Sequence, residues 1–390
     1  MAIDNYHRIL KKTEHSSFFL FGVRGSGKST WTSKLPKIAK TINLLNEELY
    51  QKILLNPVYF TGEIESLSSG AWVVVDEIQR APFLLNEIHR FIEEKKLKFI
   101  LTGSSARKLR RAGVNLLAGR ALVREMYPLL PEEMGKDFNL EKTLRFGAVA
   151  LIIASEADPS ERLKAYVQTY LKEEIRAEAL VRNLQGFVRF LPVAALFHAQ
   201  VINVSGVSRD VGVERTTVEG FLDVLEDTLF TFRLPAYFTK LKVRERKHPK
   251  LYWIDPGLVR AAKGQLGEVA IEERGSLFEG WIAQTLRSYQ SYRNLFEEMF
   301  YWSPLEVKDI EVDFLLRRGK DLIAIEAKVS NKIKPEFFKG LNAISDLKSI
   351  KRRILVYLGK EKLKTRDGID VLPWRYFLEN LEANTLWESR

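Results

Sequence analysis

Cysteine is absent from this 390-residue chain. That absence excludes disulfides, thiolate zinc sites and cysteine nucleophiles, and it fits a reducing, cytoplasmic setting. No run of about 18 uncharged apolar residues occurs, so no transmembrane helix is expected. The longest apolar run, FGAVALIIA from Phe146 to Ala154, suits a buried element instead. The opening residues, MAIDNYHRILKKTEHSS, lack the apolar core of a secretory signal. Internal repeats and low-complexity tracts are also missing.

Hydrophobic residues make up 46% of the chain and charged residues 28%, enough to build substantial cores in two or three domains. The 61 Lys and Arg outweigh the 50 Asp and Glu, giving a net charge of +11. Such a balance favours polyanionic partners, nucleotide or nucleic acid.

The most informative stretch is FGVRGSGKST, Phe21 to Thr30. It reads Gly22-x-x-x-x-Gly27-Lys28-Ser29, preceded by the apolar run SFFLF and followed by a helical pattern. This is the form of a phosphate-binding loop: the glycines let backbone N–H groups close on phosphate oxygens without a Cβ in the way. Gly22, Arg24, Gly25, Ser26, Gly27, Lys28, Ser29 and Thr30 are the expected nucleotide contacts. Lys28 would reach the β/γ-phosphates and Ser29 would ligate Mg²⁺. The continuous apolar run AWVVV, ending in Asp76-Glu77, reads as a buried parallel strand. Asp76 is placed for the Mg²⁺ shell and Glu77 for orienting a hydrolytic water. A further strand, LKFILTG, ends in Ser104, expected to sense the γ-phosphate, with Thr102 its competitor. Arg120, after LLAG and before the strand ALVREMY, is a candidate arginine finger or intramolecular sensor. A finger acting in trans implies a homo-oligomer; one acting in cis does not.

FGVRGSGKST, WVVVDEIQR, ILTGSSA and LLAGR…MYPL, in that order, resemble the bacterial and archaeal AAA-type ATPases that carry a DUF4143 C-terminal region. The resemblance implies ATP and Mg²⁺ as cofactors. Two departures stand out. Ser26 replaces a commonly bulky residue, and Lys172-Glu173-Glu174-Ile175 stands where an Arg-Asp-Ile is common.

The chain then reads as helical from about Leu130 to Gln200 and as a winged helix-turn-helix from Ile202 to Phe238. The second helix of that motif, Glu214 to Thr228, presents Glu219, Asp223, Glu226 and Asp227, a poor surface for reading bases. The following wing, with Lys240, Lys242, Arg244, Arg246, Lys247 and Lys250, is the better candidate for DNA backbone contact. Asp255 in LYWIDPG is expected to shape a turn.

Further on, DIEVDFLLRRGKDLIAIEAKVS reads as a hairpin turning at Arg318 to Asp321. Asp313 lies in its first strand, and Glu326 and Lys328 share one face of the second by alternation. That is the PD-(D/E)xK nuclease pattern, with Glu279 on the preceding helix as an outer member. Asp313 and Glu326 would hold Mg²⁺ or Mn²⁺, and Lys328 would orient the attacking water or neutralise developing charge. GSLFEG, EVDF and IEAK add to the same family resemblance. Lys332, Lys334, Lys339, Lys351, Arg352 and Arg353 are expected to add positive charge near that site.

The expected architecture is α/β: a P-loop ATPase parallel sheet over residues 1–132, a helical winged-helix region over 133–265, and a small α/β restriction-endonuclease-like domain over 266–390.

Overall fold

The computed structural model describes residues 6–106, 109, 116–154, 158–171, 175, 183–238, 246–305 and 310–388. Its first layer is a parallel five-stranded sheet ordered β2-β3-β4-β1-β5. The strands are β1 Ser17–Phe21, β2 Ile38–Asn43, β3 Trp72–Asp76, β4 Lys98–Gly103 and β5 Ala121–Glu125. Both faces are covered, which is why β1 and β3 are apolar without interruption. Phe19, Phe21, Val73 and Val75 pack with Leu84, Leu85, Ile88 and Phe91 of helix α4, Leu84–Glu94. Phe18, Leu20 and Val74 pack with Trp31 and Trp72 on the other face.

Helix α1, Lys28–Ser33, follows the glycine loop and is short, because Pro36 lies just beyond it. The chain then adds β2, a strand the sequence reading missed. Within β2 only Ile42 is buried, as expected of a sheet edge. Helices α2, Glu47–Leu55, and α3, Val58–Glu65, follow. Gly62 lies inside α3.

The middle region packs helices α5 Leu140–Phe146, α6 Ala150–Ile153, α7 Pro159–Ala165, α8 Leu184–Leu196, α9 Val204–Val211, α10 Arg215–Asp227 and α11 Pro256–Lys263 around a small sheet. That antiparallel sheet, ordered β6-β8-β7, joins β6 Gln200–Val201, β7 Thr231–Leu234 and β8 Lys250–Trp253. Side-chain caps start its helices: Asn183 accepts from Gly186 N, Asn203 from Gly206 N and Asp255 from Leu258 N. Each such cap is worth about 1 kcal/mol. Asp255 also accepts from Ala148 N at 2.6 Å, so the turn-shaping residue ties two distant segments together. Burial pushes its carboxyl up to about 6, against the pull of those N–H groups.

The last layer is a six-stranded mixed sheet ordered β13-β14-β12-β11-β10-β9. It comprises β9 Glu298–Trp302, β10 Val312–Arg318, β11 Asp321–Lys328, β12 Ile350–Tyr357, β13 Leu363–Lys364 and β14 Asp370–Pro373. β10 and β11 form the expected hairpin. Arg318 pairs with Asp321 across Gly319-Lys320, and Gly319 takes the positive φ (59°) that the tight turn requires. Helix α12, Ile271–Arg293, runs before this sheet, and α13 Lys339–Ala343 and α14 Trp374–Glu382 complete the layer. Trp281 of α12 stacks on Phe138 and meets Trp374 edge-on, so the middle helices and the inner face of this sheet share one hydrophobic core.

Candidate functional sites

The glycine loop leaves the carboxyl end of β1, the edge where β3 and β4 also end. Gly25 and Gly27 adopt positive φ, 76° and 97°, which orients the loop around Lys28. The Lys28 ammonium donates to Gly22 O at 2.7 Å and Val23 O at 3.2 Å. Ser29 Oγ donates to Asp76 Oδ2 at 2.8 Å, so the hydroxyl and carboxylate meet across two strands. Thr102 hydrogen-bonds the other oxygen of Asp76 and accepts from Glu77 N at 3.2 Å. Glu77 holds a left-handed backbone (φ 61°), and its carboxylate accepts from Gln79 Nε2. The same amide lies 3.3 Å from Ser104 Oγ.

Both sensor candidates therefore reach the site, by different routes: Thr102 through Asp76, and Ser104 through Gln79 and Glu77. The sequence reading missed Gln79, whose position two residues after Glu77 was the available signal.

The middle region clamps the loop from outside. Leu151 N donates to Gly25 O at 2.9 Å, and Tyr166 OH donates to Arg24 O at 2.7 Å. Ser26 is fully buried, with its hydroxyl lacking a hydrogen-bond partner. A cavity of about 890 Å³ opens beside Ser26, Gly27, Thr30 and Trp31. Its walls include Leu10, Tyr292 and Arg293. Buried Arg8 fixes the amino-terminal wall, donating to Tyr127 O at 2.5 Å and Tyr292 OH at 3.2 Å.

Arg120 is not brought to this loop. In register, Ala121 sits beside Ser17, so Arg120 lies at the amino-terminal edge of the sheet, where it pairs with Glu93. β1 separates it from the loop by about 16 Å at 3.3 Å per residue. That placement does not bring Arg120 to the phosphate loop of its own chain.

The second cluster lies where β10 and β11 meet α12. Asp313 is buried and accepts from Ala327 N at 2.9 Å. Lys328 Nζ lies 2.5 Å from Glu326 Oε1 and 3.7 Å from Asp313 Oδ2, so the three predicted residues converge. Glu279 joins them from α12 and accepts from Tyr252 OH at 2.6 Å. Two further members were not anticipated. Glu311 shares the face of Asp313 by alternation, a signal present in EVD. Lys250, assigned above to the exposed wing, is instead buried, with its ammonium 2.9 Å from Glu279, in contact with Glu311 and 3.8 Å from Asp313 Oδ1. Lys250 and Tyr252 point the same way along β8, so both reach Glu279.

Burial, reinforced by Asp313, pushes the Glu279 carboxyl up to about 7. Burial also raises Glu326 and Glu311, with Asp313 adding to both. Burial opposes the charge on Lys250, but Glu279, Tyr252, Glu311 and Asp313 outweigh it and hold the ammonium protonated. Lys328 is likewise raised against burial by Asp313 and Glu326. Oxygens of Glu279, Glu311 and Asp313 lie within 4.8 Å of one another, a donor set suited to a hard divalent ion. The space among them is filled by the Lys250 ammonium, so the group fits by chemistry and not by room.

The remaining basic residues are dispersed. Lys240, Lys242 and Arg244 lie outside the described residues, as do Lys172, Glu173 and Glu174. Lys351, Arg352 and Arg353 sit at the start of β12, where Ile323 pairs with Arg352, whereas Lys328 pairs with Tyr357 at the far end. Arg352 is held by Asp370 and Lys351 lies 3.6 Å from Asp321, so this group does not surround Lys328. On α10, Glu226 and Asp223 are engaged by Arg233 of β7.

Three family descriptions match consecutive segments: an AAA domain at residues 14–135, a domain of unknown function (DUF8612) at 137–268, and a second one (DUF4143) at 274–377. An uncharacterized protein of Mycobacterium tuberculosis is 24% identical over 362 residues, spanning 91% of this chain and 79% of its own. One from Methanocaldococcus jannaschii is 24% identical over 338 residues, spanning 78% and 74%. Among solved structures, the Orc1 protein of Aeropyrum pernix in complex with DNA is 14% identical and covers 66% of this chain and 87% of its own. Its TM-score is 0.25, too low to bear on function. With the glycine loop, the Asp76 strand and the β10–β11 hairpin falling inside the matched segments, the chain has the architecture of an AAA domain followed by a C-terminal DUF4143 region.

Proposed function

We propose that this protein binds and hydrolyses ATP at the Gly22–Thr30 loop and uses the cycle to control its carboxyl-terminal region. The observation that carries the reading is the contact of Ser29 Oγ with Asp76 Oδ2 beside the Lys28 ammonium. Two hard oxygen donors meeting at a loop rich in N–H groups suit a magnesium nucleotide. Magnesium, when bound there, neutralises phosphate charge. Lys28 leaves its loop carbonyls for the phosphates, and Gly22, Arg24, Gly25, Ser26, Gly27 and Thr30 line the phosphate chain. The adjoining 890 Å³ cavity accommodates the nucleoside. Glu77, aligned by Gln79, orients the attacking water and accepts its proton, while Ser104 and Thr102 report the γ-phosphate to the strand ends. A homo-oligomer in the cytoplasm is the working form where Arg120 acts in trans on a neighbouring subunit. Among the described residues no helix is long and apolar enough to cross a membrane.

The output is assigned to the remaining two modules, the helical and winged-helix region of residues 133–265 and the restriction-endonuclease-like domain of 266–390. Helix α12 connects the two sites. Tyr292 and Arg293 at its end line the nucleotide cavity, and Glu279, about 20 Å back along the same helix, enters the carboxylate cluster. Asp313, Glu326 and Lys328 are the candidate residues for metal-dependent cleavage of DNA, with magnesium or manganese as the ion. A second reading, a switch whose carboxyl-terminal domain binds a partner without cleavage, is favoured by one observation: Lys250 lies among the carboxylates.

The test is phosphate release from Mg-ATP by the full chain. Wild type is expected to turn over and Lys28→Ala to lose turnover; equal rates in both would remove the loop from the chemistry.

A further inference from the structure

We propose that Tyr166 is a positioning residue for the hydrolysis assigned to the glycine loop. With the backbone N–H of Leu151 it fixes two loop carbonyls from outside, and so aims the loop before the nucleotide arrives. The inference rests on the ATP reading of Gly22–Thr30 and adds to it a requirement for the middle region. Three observations support it.

First, four successive loop carbonyls accept hydrogen bonds, from two different sources. Gly22 O and Val23 O accept from the Lys28 ammonium at 2.7 and 3.2 Å, and Val23 O also accepts from Ser26 N at 3.1 Å. Arg24 O accepts from Tyr166 OH at 2.7 Å, and Gly25 O from Leu151 N at 2.9 Å. The lysine bonds are given up when Lys28 turns to the phosphates. The two bonds from the middle region survive that turn, and they hold the Arg24–Gly25 backbone while the site fills.

Second, the bond from Tyr166 sets a direction. The Arg24–Gly25 peptide is trans, and a planar trans peptide points its C=O and N–H opposite ways. Holding Arg24 O toward Tyr166 therefore aims Gly25 N–H away from the middle region and back into the loop. A bound phosphate can itself turn a loose peptide, so ground-state affinity gains little from this aim. Charge developing in the transition state gains more, because a donor aimed in advance need not reorganise.

Third, Tyr166 and Leu151 are seated closely enough to act this way. The Tyr166 ring is fully buried and meets Phe230 edge-on at 6.2 Å, which fixes where its hydroxyl points. It opens the π-helical turn Tyr166–Leu171 that follows α7, a wide turn of the kind that recurs at functional sites. On the loop side, a Cβ built on Gly25 would lie 2.5 Å from Leu151 Cβ. The loop cannot shift toward the middle region without moving Leu151.

The test is steady-state ATP hydrolysis by the full chain, with kcat and KM separated and urea unfolding run on each protein. Wild type, Tyr166→Phe, Asn203→Ala and Lys28→Ala are compared. Tyr166→Phe keeps the ring and removes only the hydroxyl, whereas Asn203→Ala removes a helix cap elsewhere in the same region. In Tyr166→Phe, kcat should fall about ten-fold, the worth of one hydrogen bond, with KM for Mg-ATP within about two-fold of wild type. Asn203→Ala should keep the wild-type kcat despite a comparable loss of stability. An unchanged kcat in Tyr166→Phe would overturn the proposal, as would a rise in KM alone. Equal losses of kcat in Tyr166→Phe and Asn203→Ala would also overturn it, since general destabilisation would then account for both. Equal turnover in wild type and Lys28→Ala would instead remove the ATP reading, and the role of Tyr166 would fall with it.

Discussion

The protein holds two clusters of charge, and they are built on opposite plans. At the P-loop, Lys28 and Ser29 open helix α1 opposite Asp76 and Glu77 at the end of β3, and their bonds are to loop carbonyls, hydroxyls and an amide that a ligand can replace. Between β10, β11 and α12, four carboxyls and two ammoniums are packed together largely out of water, each answering another. The first is arranged for a ligand to arrive; the second already contains its counter-charge. Charge removed at the first site should therefore be felt in chemistry, and charge removed at the second in stability.

Four changes would break or sharpen that contrast. The largest effect belongs to the P-loop. Lys28→Ala should abolish measurable ATP turnover yet shift the urea unfolding free energy by only about 1–3 kcal/mol, the cost of leaving the buried Gly22 and Val23 carbonyls without this donor. Lys250→Met, the same loss of one ammonium at the buried cluster, should cost about 3–5 kcal/mol of unfolding free energy in metal-free buffer. If the two lysines gave equal stability losses, the contrast would be lost.

Third in size is an acid sensitivity centred on His198. Burial pushes this imidazole down to about 3, and its Nδ1 accepts from Trp253 N at 3.1 Å. The folded state keeps it neutral, while the unfolded chain takes up a proton below about pH 6.5. Its contribution is thus present above pH 6.5 and is lost as pH falls toward 3, at about 1.4 kcal/mol per unit. The difference in urea unfolding free energy between wild type and His198→Gln across pH 4–7 should follow that slope. The smallest change is Gly25→Ala. A Cβ there would lie 2.5 Å from Leu151 Cβ on a backbone at φ 76°, so a loss of about 1–3 kcal/mol is expected in thermal unfolding.

The two plans also explain what the sequence disclosed. The P-loop is legible because its function depends on consecutive residues: Gly22 to Thr30 fix both the turn and the chemistry. The β10–β11 hairpin is legible through alternation and a two-residue turn. Lys250 was not, because the charge run around it resembles a solvated wing, and only the pairing of β8 with β7 and the approach of α12 bury it. β2 escaped notice for a related reason: IAKTIN carries a strand's alternation too weakly to stand out, and the neighbouring β3 supplies the pairing that makes it a strand. Arg120 shows the converse. A Gly-Arg before a strand looks suited to a sensor, but the parallel register sends it to the wrong edge of the sheet.

The most direct test of the account is single-turnover hydrolysis of radiolabelled ATP by Glu77→Gln, with binding of a fluorescent ATP analogue followed in parallel. Loss of the base should lower the rate by about 10²–10⁴-fold while affinity stays near wild type. An unchanged rate with affinity intact would contradict the placement of the reaction at Glu77.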